Sequence, residues 1–390
     1  MMFSNYIWMW TTDSLLGNDQ QTQTFIANCK QYNIGNVFLY MSPSYYSQQA
    51  QLQTLLGALN ANQINPWGLD GARFYLSDEQ GPAKLLNGID NLVAYNKQVP
   101  KNQQFFGFQT DIEFETPTGQ QPTFHDKLGD AQLSTTDGGV WKATAAQDRQ
   151  ALGADWLNTH DLIKSKLSAI GVALGAAIPY WYDDYYGSPI NTTYKGVDQD
   201  LFRHISNIVD QVHIMSYNTD PSYIVDRVSN KLQYLSSLNV KSCASVEAGK
   251  DEVDVSYAST TGKDNKLAMI TDIGVLASKL SQYSAFNGIC IHDYDGFVAL
   301  TGNVDLAAVT TLEGGQVAAT GQQAVSALVN APVSAPVNAP VSAPVSAPAV
   351  GTLTNNVQME SVATATSGTG ASATETTGLK RHRHHRRQHK

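Results

Sequence analysis

Short apolar runs recur along the first 310 or so positions, and a stretch of helical period separates each run from the next. The runs predict strands at Tyr6–Trp10, Asn36–Tyr40, Ile64–Leu69, Phe105–Glu113, Val172–Ile178, Gln211–Tyr217, Val240–Val246 and Gly288–His292. They are apolar on both faces, as in a parallel sheet covered on both sides, rather than alternating. Between them, helical spacing predicts helices at Asp19–Tyr32, Ser47–Asn62, Leu85–Lys97, Gln147–Ile170, Asp198–Val209, Tyr223–Leu238 and Leu267–Tyr283, with a short one from Val304 closing the set. In the second helix Leu52, Leu55, Leu56 and Leu59 share one face. Eight strands, each followed by a helix, form the pattern of an α/β protein built as a parallel (β/α)8 TIM barrel. A doubly wound open sheet would carry a glycine-rich phosphate turn after the first strand, and Thr11-Thr12-Asp13-Ser14 is not one.

Two internal stretches break the period, 116–145 and 248–265. The first, thirty irregular residues after a strand, reads as a functional loop. Past the barrel, predicted to span 1–312, the pattern changes. An Ala/Pro/Val-rich extended spacer covers 313–350, where proline at every fourth residue of 330–348 forbids helix. A Ser/Thr-rich segment, 351–379, lacks the apolar groups to fold and is expected to be disordered. The chain ends in a basic His/Arg tail, 380–390.

Charge sharpens this division. Residues 1–312 hold 31 acidic and 19 basic side chains, while the last eleven residues hold six basic ones and no acid. An acidic body argues against a nucleic-acid-binding barrel. The basic tail is suited to a polyanion or an anionic surface, or serves only to keep the chain in solution. Cys29, Cys243 and Cys290 are odd in number and far apart, so they read as buried thiols rather than a disulfide framework. No run of about 20 apolar residues predicts a membrane span, and no charged-then-apolar leader opens the chain. Location stays open, a monomer is expected, and no cofactor is called for.

In a (β/α)8 barrel the site forms at the C-terminal strand ends. Here those ends carry Asp70, then Gln109, Asp111 and Glu113, then Trp181, Tyr182 and Asp183 after Tyr180, then Tyr217 and Asn218, then Glu247, then His292 and Asp293. Asp111 and Glu113 are two apart and point to one side of a strand. Paired acids repel, so one of them is expected to keep a proton and serve as a general acid. Aromatic faces stack on sugar rings, acids and amides bind hydroxyls, and two carboxylates flanking a bond suffice for glycoside hydrolysis. A divalent ion between Asp70 and Asp183 is not demanded by any spacing, and no metal site is expected.

The run Phe106-Gly107-Phe108-Gln109-Thr110-Asp111-Ile112-Glu113 resembles the strand-four signature D-x-x-D-x-D-x-E of family-18 glycoside hydrolases, the chitinase group. The last Asp and Glu match Asp111 and Glu113, and the first two acids are here Phe106 and Gln109. Met215-Ser216-Tyr217-Asn218 resembles the same family's M-x-Y-D segment on strand six, with Asn for Asp. The resemblance covers roughly residues 1–310. It implies that Glu113 protonates the leaving oxygen. It also implies that Asp111 orients the substrate's acetamido group, which attacks the anomeric carbon, and that Tyr217 supports that group. The family's tryptophan at the end of strand eight is absent, with His292 near its place.

Other readings stay open. Glu113 on strand four and Glu247 on strand seven are placed like the acid and nucleophile of the large retaining-glycosidase clan, with Ile112 where that clan has asparagine. Glu247 would then be the nucleophile, or else a hydroxyl ligand or ion-pair partner. The barrel could instead hold carbohydrate without cleaving it, as a lectin-like protein. It could also be a surface component tethered by its tail. The leading expectation is a glycoside hydrolase acting on a polysaccharide or glycan.

Overall fold

The computed structural model describes residues 4–71, 81–113, 146–185, 188–250 and 255–302. Eight parallel strands close into a barrel: β1 Asn5–Met9, β2 Ile34–Tyr40, β3 Asn65–Asp70, β4 Gly107–Thr110, β5 Ala173–Pro179, β6 Gln211–Met215, β7 Lys241–Glu247 and β8 Phe286–His292. Each strand pairs with its neighbours in chain order, and β8 returns to β1 through Tyr6↔Cys290 and Ile7↔Ile291. The sheet is therefore a TIM barrel and not an open doubly wound sheet. Around it run α1 Asp19–Gln31, α2 Gln49–Ala61, α3 Gly81–Gln98, α4 Ala146–Ser168, α5 Leu201–Ser206, α6 Pro221–Leu238, α7 Lys266–Leu280 and α8 Tyr294–Ala299.

The strands bury both faces, in two separate apolar clusters. Ile7, Met9, Val37, Leu39, Ala244, Val246, Ile289 and Ile291 face the helices and pack with Leu52, Leu56, Leu232 and Leu276. Their sequence neighbours Tyr6, Trp8, Phe38, Trp67, Met215, Cys243 and Cys290 face inward and form the barrel's own core. This is the period-two alternation of a strand, doubled because neither face meets water. The interior is crowded. A Cβ on Gly107 would lie 2.2 Å from the ring of Trp67, so β4 needs glycine there to let the indole cross the barrel. All three cysteines are buried free thiols.

Two elements differ from the sequence pattern. The predicted helix from Asp198 is instead a hairpin, Asn191–Tyr194 paired with Val197–Asp200, and α5 begins only after it. Lys195 and Gly196 both have positive φ, 50° and 78°, the two-residue turn that matches hairpin twist. Asp200 then caps α5 by accepting from the Arg203 N–H. After β8 the chain enters α8 at once, where Asp293 accepts from the Gly296 N–H. The helix predicted from Val304, the 116–145 loop, the 313–350 spacer, the 351–379 segment and the 380–390 tail lie outside the described residues. No described helix is long and apolar enough to cross a membrane.

Candidate active site

The inward face of each strand continues past its last paired residue into the C-terminal mouth. β4 ends at Thr110, but the Asp111 N–H still donates to the Asp70 carbonyl at 3.2 Å, holding the parallel register one residue further. Thr110 points outward to His160 on α4 (2.8 Å), and the Ile112 carbonyl accepts from the Trp156 indole (3.1 Å). With Thr110 and Ile112 turned to the helices, Asp111 and Glu113 share the opposite face. Glu113 is buried. The expected pairing of these two acids on one side is thus present in the backbone.

Tyr217 is where the charges converge. Burial pushes its phenol well above the ordinary value, and the charges of Glu247, Asp111 and Glu113, in that order, push it further, with Cys290 adding the least. Carboxylates from β4 and β7 therefore bear by charge on one hydroxyl just past the end of β6, and the Tyr217 ring lies 5.7 Å from the His292 ring that holds Glu247. The cause is geometric: a closed barrel aims alternate strand ends at a common axis.

Glu247 is nearly inaccessible, 1% exposed, and both its oxygens accept hydrogen bonds. Oε1 receives the Gly249 N–H at 2.6 Å, and Oε2 lies 2.6 Å from His292 Nδ1. Burial raises the Glu247 carboxyl, against the lowering effect of His292 and of the Gly249 N–H. For His292, burial alone would lower the ring. By charge alone, Glu247 through its carboxylate and hydrogen bond, then Asp293 and Asp111, outweigh it and would push the ring up to about 10. On its far side His292 Nε2 accepts from the Trp10 indole at 3.0 Å. Trp10 stacks on Trp8 (5.6 Å, 27°) and leans on Tyr40 (5.9 Å), making an aromatic wall on the β1–β2 side.

The remaining predicted residues are placed elsewhere or one layer away. Gln109 lies inside the barrel below Asp111, with no exposure. Its Nε2 donates to the Thr110 carbonyl, and its Oε1 has no hydrogen-bond partner among the described residues. Asp70 alternates with inward Leu69 and turns outward, with Oδ2 toward Gly88 of α3 and Oδ1 accepting from the Gly71 N–H. Trp181 and Tyr182 belong to the barrel–helix core, Tyr182 meeting the Trp156 ring edge-on at 5.4 Å. Asp183 accepts from Lys231 on α6 (2.8 Å). Asn218 accepts from the Asp220 N–H in the turn that leads to α6 (2.8 Å), and Asp293 caps α8. Among the described residues no group of three or more His, Cys, Asp or Glu is arranged to hold a metal ion. Trp10 was not among the expected site residues. Its signal was the spacing Tyr6, Trp8, Trp10, which puts all three on one face of β1.

No family model matches the sequence, and no curated protein matches it. Solved structures do. A chitinase from Chromobacterium violaceum is 13% identical over 81% of this chain and 100% of its own, with a TM-score of 0.42. A GH18 chitinase from Pseudoalteromonas aurantia is 12% identical over 79% of this chain and 99% of its own, at 0.44. A D-psicose 3-epimerase from Clostridium cellulolyticum is 10% identical over 78% of this chain and 91% of its own, at 0.39. At this level of likeness these matches add nothing to what the strand order already establishes, a parallel eight-stranded barrel.

Proposed function

We propose that the protein is a glycoside hydrolase acting on a polysaccharide or glycan, with Glu113 as general acid. The observation that carries this is that Asp111 and Glu113 on the inward face of β4 share the C-terminal mouth with Glu247, His292 and the buried Tyr217, beside the rings of Trp10 and Tyr40. A sugar lying in the mouth would stack on aromatic rings and have its glycosidic oxygen within reach of a carboxyl group. Glu113 gives its proton to that oxygen as the bond to the anomeric carbon breaks. Where the sugar bears an acetamido group, Asp111 accepts the acetamido N–H and the Tyr217 hydroxyl donates to its carbonyl oxygen. That oxygen then closes on the anomeric carbon, and water later opens the ring. Glu247, with both oxygens already engaged, acts in this scheme as a fixed charge beside Tyr217 rather than as the nucleophile.

The test is release of reducing ends from chitin, cellulose, glucans and mannans by the full chain and by Glu113→Gln. Loss of hydrolysis with unchanged thermal unfolding supports the assignment, whereas unchanged turnover in the variant removes it. A second reading, a barrel that holds glycan without cleaving it, is favoured by the amides Gln109 and Asn218 where the chitinase pattern has acids. Glycan-array binding with no reducing ends released would select it. In either case residues 380–390 are suited to an anionic surface, and removal of 315–390 with retention unchanged would exclude that role.

A further inference from the structure

The two ring nitrogens of His292 face different demands. Nδ1 lies 2.6 Å from Glu247 Oε2, and Nε2 lies 3.0 Å from Trp10 Nε1. An indole nitrogen can only donate a hydrogen bond. Nε2 must therefore be bare to accept it, and the single ring proton must sit on Nδ1, donating to Glu247. An imidazolium would set N–H against N–H at Trp10. The titratable groups around the ring pull the other way: Glu247 from β7, Asp111 from the end of β4 and Asp293 from the next position all favour a second proton and by charge alone would hold it up to about 10, but that proton has no place on Nε2 while the Trp10 N–H points at it from 3.0 Å. Tyr217 from β6 packs at 5.7 Å, and Trp8 from β1 meets the ring edge-on at 5.6 Å without titrating.

We propose that Trp10 is a positioning residue of this mouth: its indole N–H holds His292 as the neutral Nδ1–H tautomer and so keeps an imidazolium out of the carboxylate cluster. Ordinary histidine prefers no such tautomer, and the hydrogen bond to one nitrogen decides the state of the other. The consequence rests on the glycosidase reading: a cluster of carboxylates with no imidazolium in it holds a proton more readily, which is what a general acid needs. The tautomer itself does not depend on that reading.

Nitrogen-15 NMR of the histidine-labelled full chain tests it without measuring turnover, so failure of the glycosidase assignment leaves the result readable. The His292 signals are assigned by their loss in His292→Gln. The expected wild-type ring at pH 8 has a protonated Nδ1 and a bare Nε2. Trp10→Phe keeps a ring against Trp8 but deletes the donor, and should raise the His292 titration midpoint by roughly one unit or more. A wild-type ring protonated at both nitrogens at pH 8, or carrying its proton on Nε2, overturns the proposal. So does a midpoint in Trp10→Phe that coincides with wild type. If Trp10→Phe does not fold, the wild-type spectrum alone decides.

Discussion

Removing the His292 ring should expose how much of the barrel mouth depends on one buried anion. Glu247, 1% exposed in the intact mouth, keeps the Gly249 N–H in His292→Ala but loses its other partner, at 2.6 Å. A hydrogen bond to a charged group contributes about 1.5–3 kcal/mol, and a buried charge stripped of its partner costs about 3–5 kcal/mol. His292→Ala should therefore lose about 4 kcal/mol in urea unfolding followed by tryptophan fluorescence. Adding Glu247→Gln to that background removes the anion, so the double variant should recover about 2 kcal/mol relative to His292→Ala. The pH dependence of this recovery has a fixed sign. Burial already raises the Glu247 carboxyl, and without His292 an opposing influence is gone. A group whose folded value exceeds its unfolded one contributes stability below the unfolded value and loses it as pH rises through the folded value. The gap between His292→Ala and the double variant should thus be widest at pH 8 and narrow toward pH 5. A gap below about 0.5 kcal/mol at pH 8, or one that widens on acidification, refutes the reasoning.

Two substitutions probe the barrel interior. Gly107→Ala places a methyl group 2.2 Å from the Trp67 ring and should cost about 3 kcal/mol. Gly57→Ala on α2 meets the Gln103 side chain at ordinary contact distance, Cγ at 3.5 Å and Nε2 at 3.8 Å, and should stabilise by about 0.5 kcal/mol; thermal unfolding of both reads the contrast. His213 is buried in the barrel, with both nitrogens lacking a hydrogen-bond partner among the described residues, and burial lowers its ring to about 3. The unfolded chain takes a proton there near pH 6.5 that the fold refuses, so this ring costs stability as pH falls. His213→Met should remove about 2 kcal/mol of the loss measured between pH 7 and pH 5, leaving the share due to His160, which burial lowers to about 4.

The strands were legible because each carries an apolar run bounded by breaks, and a two-sided apolar run has few other structures open to it. Asp111 and Glu113 could be assigned to one face for the same reason, since the period of a strand is fixed at two. Asp70 was expected in the mouth from its place at the end of strand three alone, and the same rule corrects it. It follows Leu69, which faces inward, so the acid at the end of β3 turns to α3. Trp181 and Tyr182 follow the last paired residue of β5 in a turn, where no period governs direction, and they pack into the outer core. The hairpin before α5 hid because Asp200-Leu201-Phe202-Arg203-His204-Ile205 reads as the middle of a longer helix. The turn signal Lys195-Gly196, just upstream, outranks that reading once both residues take positive φ. The hydrogen bond from Trp10 to His292 joins positions 282 apart, and only barrel closure brings β1 beside β8.

The layer below the mouth is as telling as the mouth itself. One step inward from Asp111 the chain has an amide, Gln109, where the resembling pattern has an acid. Below Tyr217 it has His213, held neutral by burial and ringed by Tyr6 at 5.2 Å and Phe38 at 4.7 Å. Neither group carries charge at neutral pH, and aromatic rings fill the space between them and the far strands. In these two described layers, charge therefore lies on the C-terminal side. A neutral floor raises the cost of separating charge above it, because there is no ion below to answer it. On the proposed assignment, a proton given by Glu113 to a departing oxygen would then be replaced from the mouth, by water or by the product, and not through the barrel. Gln109→Asp would introduce an acid into that floor, under Asp111. Burial would raise the new carboxyl, so that variant should fold less stably at pH 8 than at pH 5, and this pH dependence should be absent in Gln109→Asn; equal stability of Gln109→Asp at the two pH values would show that the floor tolerates charge.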